Sequence, residues 1–140
     1  MRISMNVLRG NQNAAPICKA FAQGVRTVVG DTAVIRRDID HDMKGYDVAA
    51  FWGYVTTCQQ IVASCRVKGI TFIYFDLAYW DRENQYKVSV NDRHPTAYVM
   101  NKAMPTDRWD KLGLKISPWR TNGKTILVAG MSSKAAWSWG

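Results

Sequence analysis

The chain has 140 residues, 47% of them hydrophobic and 21% charged, which suits one soluble globular domain with a true core. No apolar run reaches the length of a membrane span, and "MRISMNVLRGNQN" lacks the apolar stretch of a secretory leader, so a cytoplasm is the expected compartment and no membrane partner is expected. The net charge of +8 favours an acidic partner such as nucleic acid, a nucleotide or an acidic protein.

In chain order, "RISMNVL" (2–8) reads as a first strand, followed by a Gly-Asn loop. Residues 14–28 carry Ile17, Phe21, Val25 and Val28 at helical spacing, with Pro16 in the first turn and Gly30 as the stop. "TAVIRR" (32–37) is a second strand, and "DIDHDMKGY" a solvated connector. "DVAAFWGY" (47–54) is nearly all apolar, as in a strand buried on both faces. Residues 55–68 read as a helix with Thr56 or Thr57 as N-cap and Gly69 as stop. "ITFIYFD" (70–76) is the strongest strand, rich in β-branched and aromatic residues. "NQYKVSV" (84–90) reads as a short extra strand. "TDRWDKLG" (106–113) is a short helix, "LKIS" (114–117) a strand, and "TILVAGM" (125–131) a further strand of buried type.

Strands alternating with helices imply βαβ units: an α/β, Rossmann-like domain over 1–122 with a mostly parallel sheet flanked by helices. Residues 123–140 would add a strand and a Trp-rich tail carrying Trp137 and Trp139, the start of a truncated second unit or an oligomer contact. Cys18, Cys58 and Cys65 form no metal-binding spacing. Cys58 and Cys65 lie two helical turns apart, about 10 Å along the axis, too far for a disulfide. They are expected as buried free thiols, and no metal site is expected.

Ligands of parallel sheets sit beyond the carboxyl ends of the strands. That rule selects the loops at 9–13, 53–56, 76–82 and 130–134. Asp76 ends the strongest strand, where a carboxylate serves as general base or hydroxyl acceptor, or merely caps the next turn. Tyr79 and Trp80 beside Arg82 can stack on a base or sugar ring, or cover the end of the sheet. In "KVSVNDRHPTAY" (87–98) the strand pattern breaks at Asn91, and Arg93, His94 and Thr96 follow around Pro95. Arg93 is a bidentate donor for phosphate or carboxylate, and His94 titrates near neutrality as base, acid or donor, or the loop is structural and Arg93 pairs with Asp92 or Asp107. A path out along 84–90 and back would bring this loop to Asp76. Ser132, Ser133 and Lys134, in a Gly/Ser turn after the last strand, are phosphate-binding candidates.

The blocks "FDLAYWDR", "YKVSVNDRHPTAY", "PTDRW", "SPWR" and "ILVAGMSSKAA", in that order over about residues 70–136, resemble a family of largely uncharacterised bacteriophage and prophage proteins. The layout is also similar to the N-terminal half of a GT-B glycosyltransferase, as in phage enzymes that glucosylate modified DNA bases. "TFIYFD" ends in Asp76 where those enzymes place a catalytic aspartate. The resemblance implies an acceptor-side half, a nucleotide-sugar donor as cofactor, DNA as partner and a host bacterial cytoplasm as location. It implies Asp76 and His94 as catalytic residues, and Tyr79, Trp80, Arg82, Arg93 and Thr96 as substrate contacts. By the same resemblance, the donor-binding half is expected to be missing from these 140 residues. Alternatives are a non-catalytic phage protein that binds and inhibits a host component, and a virion or assembly accessory protein that forms a homo-oligomer.

Overall fold

A computed structural model describes residues 1–7, 11–30, 33–36, 41–79, 81–95, 99–100 and 102–130. The chain divides into two compact units, Met1–Ala103 and Met104–Gly140. The first unit runs β1 (Ile3–Asn6), α1 (Ala14–Val29), β2 (Ala33–Arg36), β3 (Val48–Trp52), α2 (Thr56–Lys68), β4 (Thr71–Leu77) and β5 (Tyr86–Val90). Its sheet has the order β2-β1-β3-β4-β5. The first four strands are parallel and β5 returns antiparallel to β4. The expected α/β class and mostly parallel, open sheet are therefore what the chain forms.

Side-chain alternation explains why β1, β3 and β4 read as apolar runs. Ile3, Met5, Val48, Ala50, Trp52 and Phe75 face one side and pack with Ala14, Cys18 and Ala22 of α1. Ala49, Phe51, Phe72 and Tyr74 face the other and pack with Cys58, Ile61, Val62 and Cys65 of α2. The sheet is thus covered on both faces, as parallel sheets require. Met43 and Tyr46, from the connector expected to be solvated, extend the second core. Its His41 and Asp42 are exposed, and Asp42 pairs with Lys68 at the end of α2. The three cysteines are free and buried, and burial pushes the Cys18 and Cys65 thiols up to about 11.

Pro16 sits in the first turn of α1, and the Gly30 N–H bonds the Arg26 carbonyl to close it. Gly69 ends α2 at φ 66, a left-handed conformation that suits glycine. The expected threonine N-cap of α2 is corrected. Thr56 and Thr57 lie inside the helix, and extended Val55 holds the cap position without a side-chain bond. The chain leaves β3 already extended through Val55, so the helix begins one or two residues earlier than a cap at Thr56 or Thr57 would set it.

The second unit holds α3 (Asp107–Leu112), closed by Gly113 in the left-handed region. Residues 114–130 contain no strand, against the expectation for 114–117 and 125–130. Ile126, Leu127 and Val128 are 90%, 88% and 87% exposed. Apolar composition permits a strand, but a strand also needs a neighbour for its backbone groups. The expected strand end at 131 and the Trp-rich tail lie outside the described residues.

The break expected at Asn91 is a clamp. Asn91 takes φ 58, a left-handed conformation that asparagine tolerates better than most residues. Its backbone N–H donates to the Phe72 carbonyl at 2.8 Å, and its Oδ1 accepts the Phe72 N–H at 2.9 Å. Asn91→Ala should cost about 1–3 kcal/mol, from a lost acceptor and a strained backbone. Asn91→Gly, which keeps the backbone and loses only the bond, should cost less. Urea unfolding midpoints of the two variants check this order; equal midpoints would refute it.

Candidate functional site

The β4–β5 register builds the site. Asp76 pairs with Lys87 and Tyr74 with Ser89. These side chains lie on the sheet face that Tyr74 shares with α2. Past Asn91 the chain turns back over this face. Ser89 Oγ donates to the Arg93 carbonyl at 3.4 Å. The Arg93 guanidinium lies 3.7 Å from the centre of the Tyr54 ring, in the loop after β3. Tyr54 in turn meets Tyr74 edge to face, with centroids 6.2 Å apart. The loop is therefore pinned at both the strand and the aromatic pair.

The next residue reaches the carboxyl end of β4. His94 Nδ1 is 2.7 Å from the Tyr79 hydroxyl and 3.4 Å from Lys87 Nζ, and the two rings stack with centroids 6.2 Å apart. An ammonium can only donate, so Nδ1 is the acceptor in the contact with Lys87, which leaves Nε2 with the proton as a donor. Lys87 Nζ also stands 5.3 Å from the Tyr74 ring centre and 5.2 Å from that of Tyr79. Asp76 accepts from the Tyr74 hydroxyl on Oδ2 and from the Leu77 N–H on Oδ1 at 2.8 Å. Each oxygen retains a second lone pair for a further donor.

The electrostatics follow from burial and crowding. Burial lowers the Lys87 pKa, helped by Arg93 and Arg82, while Asp76 opposes. Burial lowers His94 as well, then Lys87 and Arg93, with Asp92 and Asp76 opposing. Burial and the Asp76 carboxylate push the Tyr74 phenol far above its ordinary value, so it stays a donor to Asp76. The cluster is a fixed carboxylate beside partly desolvated cations and a neutral imidazole. It can accept a proton or hydroxyl at Asp76, donate at His94 and Lys87, and hold an anion.

Of the residues singled out in the sequence, Asp76, Tyr79, Arg93 and His94 come together on this face. Arg82 is exposed and acts on Lys87 electrostatically. Trp80, Thr96, Ser132, Ser133 and Lys134 lie outside the described residues. Tyr54, Tyr74, Lys87 and Ser89 were not anticipated. Tyr54 falls in a loop the carboxyl-end rule selects, and Tyr74 shares the strand parity of Asp76. Lys87 carried no local signal, because only the hairpin register sets it opposite Asp76. Strand order reverses beside β1, so the cluster lies toward the β4–β5 edge rather than at that crevice. Among the described residues no group of three or more His, Cys, Asp or Glu could hold a metal, and no helix is long and apolar enough to cross a membrane. No protein-family model matches the chain, and no curated protein sequence matches it.

His94 should titrate below the ordinary imidazole value of 6.5. The unfolded chain then binds more protons just below that pH, so stability should fall as pH is lowered through this window. An imidazole NMR titration should place the midpoint below that of unfolded His94 and move it up in Lys87→Met. A midpoint indifferent to Lys87 would disprove the contact.

Proposed function

We propose that the protein is a phage-encoded, glycosyltransferase-like protein that binds nucleic acid through the Asp76–His94 face. The observation that carries this reading is the gathering of one carboxylate, Lys87, Arg93, His94 and the open ring of Tyr79, 63% exposed, on a single sheet face. Lys87 and Arg93 suit phosphate oxygens, His94 Nε2–H suits a phosphate or hydroxyl, and Tyr79 suits a base or sugar ring. Asp76, fixed by Tyr74, would accept the proton of an acceptor hydroxyl. A nucleotide-sugar is the donor class this chemistry takes. The α/β sheet and the net charge of +8 agree with an acceptor-side half of the GT-B kind in a host cytoplasm.

A second reading is a non-catalytic protein that binds an acidic host component. Both oxygens of Asp76 already accept hydrogen bonds, and Arg93 lies on Tyr54, which favours a rigid binding face over a mobile base.

Duplex DNA binding at two salt concentrations tests the face. Lys87→Ala and His94→Ala should weaken binding more than tenfold at the higher salt, and Lys87→Ala should flatten the salt slope by about one. Binding that fades with salt and ignores both substitutions would refute the site. Asp76→Asn should preserve DNA binding and slow sugar transfer by about 100-fold or more. Intact binding with no transfer by the unsubstituted protein would select the second reading.

A further inference from the structure

Among the described residues no strand pairs with the outer edge of β5. The Asn91 backbone N–H donates to the Phe72 carbonyl and the Gln85 carbonyl accepts from the Ala78 N–H, both on the β4 side. In an antiparallel ladder such pairs recur at every second residue, so Lys87 and Ser89 also point their backbone groups at β4. Tyr86, Val88 and Val90 therefore point theirs outward, away from the sheet. Their side chains share the face opposite the Asp76 cluster, and are 48%, 53% and 57% exposed. Soluble proteins usually blunt such an edge with a lysine, a proline or a bulge; β5 carries Lys87, but its outward-bonding positions hold one tyrosine and two valines. Beside the strand lies an open groove of about 630 Å³, lined by Val88 to Asp92, His94 and Pro95.

We infer that this edge pairs with the same edge of a second copy, β5 against β5 about a two-fold axis through Val88, joining two sheets into one. The sequence of β5 is self-complementary in that register. Val88 faces Val88 of the other copy, and Tyr86 faces its Val90, so one face of the joint is wholly apolar. On the other face Lys87 meets Ser89, so no like charges stand directly opposite. The nearest like pair, the two Lys87 side chains, is diagonal at about 7–8 Å, each beside its own Asp76. Centring on an outward-bonding residue makes all three facing pairs hydrogen-bonded, about six bonds in total. A shift by one residue would set inward-bonding positions opposite outward ones and lose them. A second copy is thus the occupant that matches this edge in backbone pattern, apolarity and charge together. The inference does not depend on the proposed function.

Sedimentation equilibrium over a concentration series, with the whole chain, is the test. The protein should form a reversible dimer. Val88→Pro removes an outward N–H and leaves the bonds to β4, a substitution edge strands tolerate. Val88→Lys sets like charges face to face. Both should weaken dimerisation at least tenfold, with the far-UV circular dichroism of the wild type; if Val88→Pro loses that spectrum, Val88→Lys decides. Val88→Cys should oxidise to a covalent dimer, since facing bonded residues lie about 5.5 Å apart, within disulfide reach. Val67→Cys, exposed on α2, should not. A monomer at every concentration, or a dimer that both folded Val88 variants leave unchanged, would overturn the inference.

Discussion

The antiparallel return of β5 is the constraint on which the rest of the site depends. The outer edge of β4 carries backbone groups of Phe72, Tyr74, Asp76 and Ala78 that must be satisfied. A parallel strand would have needed a crossover of a dozen residues or more, and a helix over the very face that Arg93 and His94 occupy. The return through residues 78–85 instead lays β5 down in a register that sets Lys87 against Asp76. Asn91 then fixes where the ladder ends, so that the next residues can only climb back over the α2 face. Position in the ladder, rather than attraction between the side chains, brings the charges together.

That origin explains the electrostatic character of the cluster. Lys87 is held near two other cations and is partly out of water, with one carboxylate to offset the crowding. Such an arrangement is favourable to an added anion, which would relieve repulsion among groups the backbone does not let separate. The aromatic rings work in the same direction. Tyr54 holds Arg93 flat, Tyr74 fixes Asp76 and Tyr79 fixes His94, so little side-chain freedom remains to be lost on binding.

The legible parts of the sequence were those with local causes. β1, β3 and β4 follow from apolar runs, α1 from its spacing with Pro16 and Gly30, and the end of α2 from Gly69. The turn at Asn91 was legible because asparagine accepts a left-handed backbone. Residues 125–130 misled for a non-local reason. Their composition matches β3, but β3 has β1 and β4 beside it, and nothing in a hexapeptide records whether a neighbour exists. The candidate site divides in the same way. Asp76 and His94 stood out as residue types in loops or at a strand end. Lys87 looked like an ordinary strand lysine, and only cross-strand pairing gave it a role.

Alternation along β5 separates two surfaces within five residues. Lys87 and Ser89 bond inward to β4 and turn their side chains to the charged face. Tyr86, Val88 and Val90 bond outward and turn theirs to the opposite face. Because parity in a strand ties backbone direction to side-chain direction, the residues of β5 that reach the cluster are not the ones whose backbone groups point out of the free edge, and the reverse holds. The outward-bonding positions could therefore remain apolar without placing a hydrophobe among the charges, and the charges could gather without placing a lysine at an outward-bonding position. One short strand can serve a polar site and a self-complementary edge together only because it lies last in the sheet, with one side bonded to β4 and no strand on the other among the described residues.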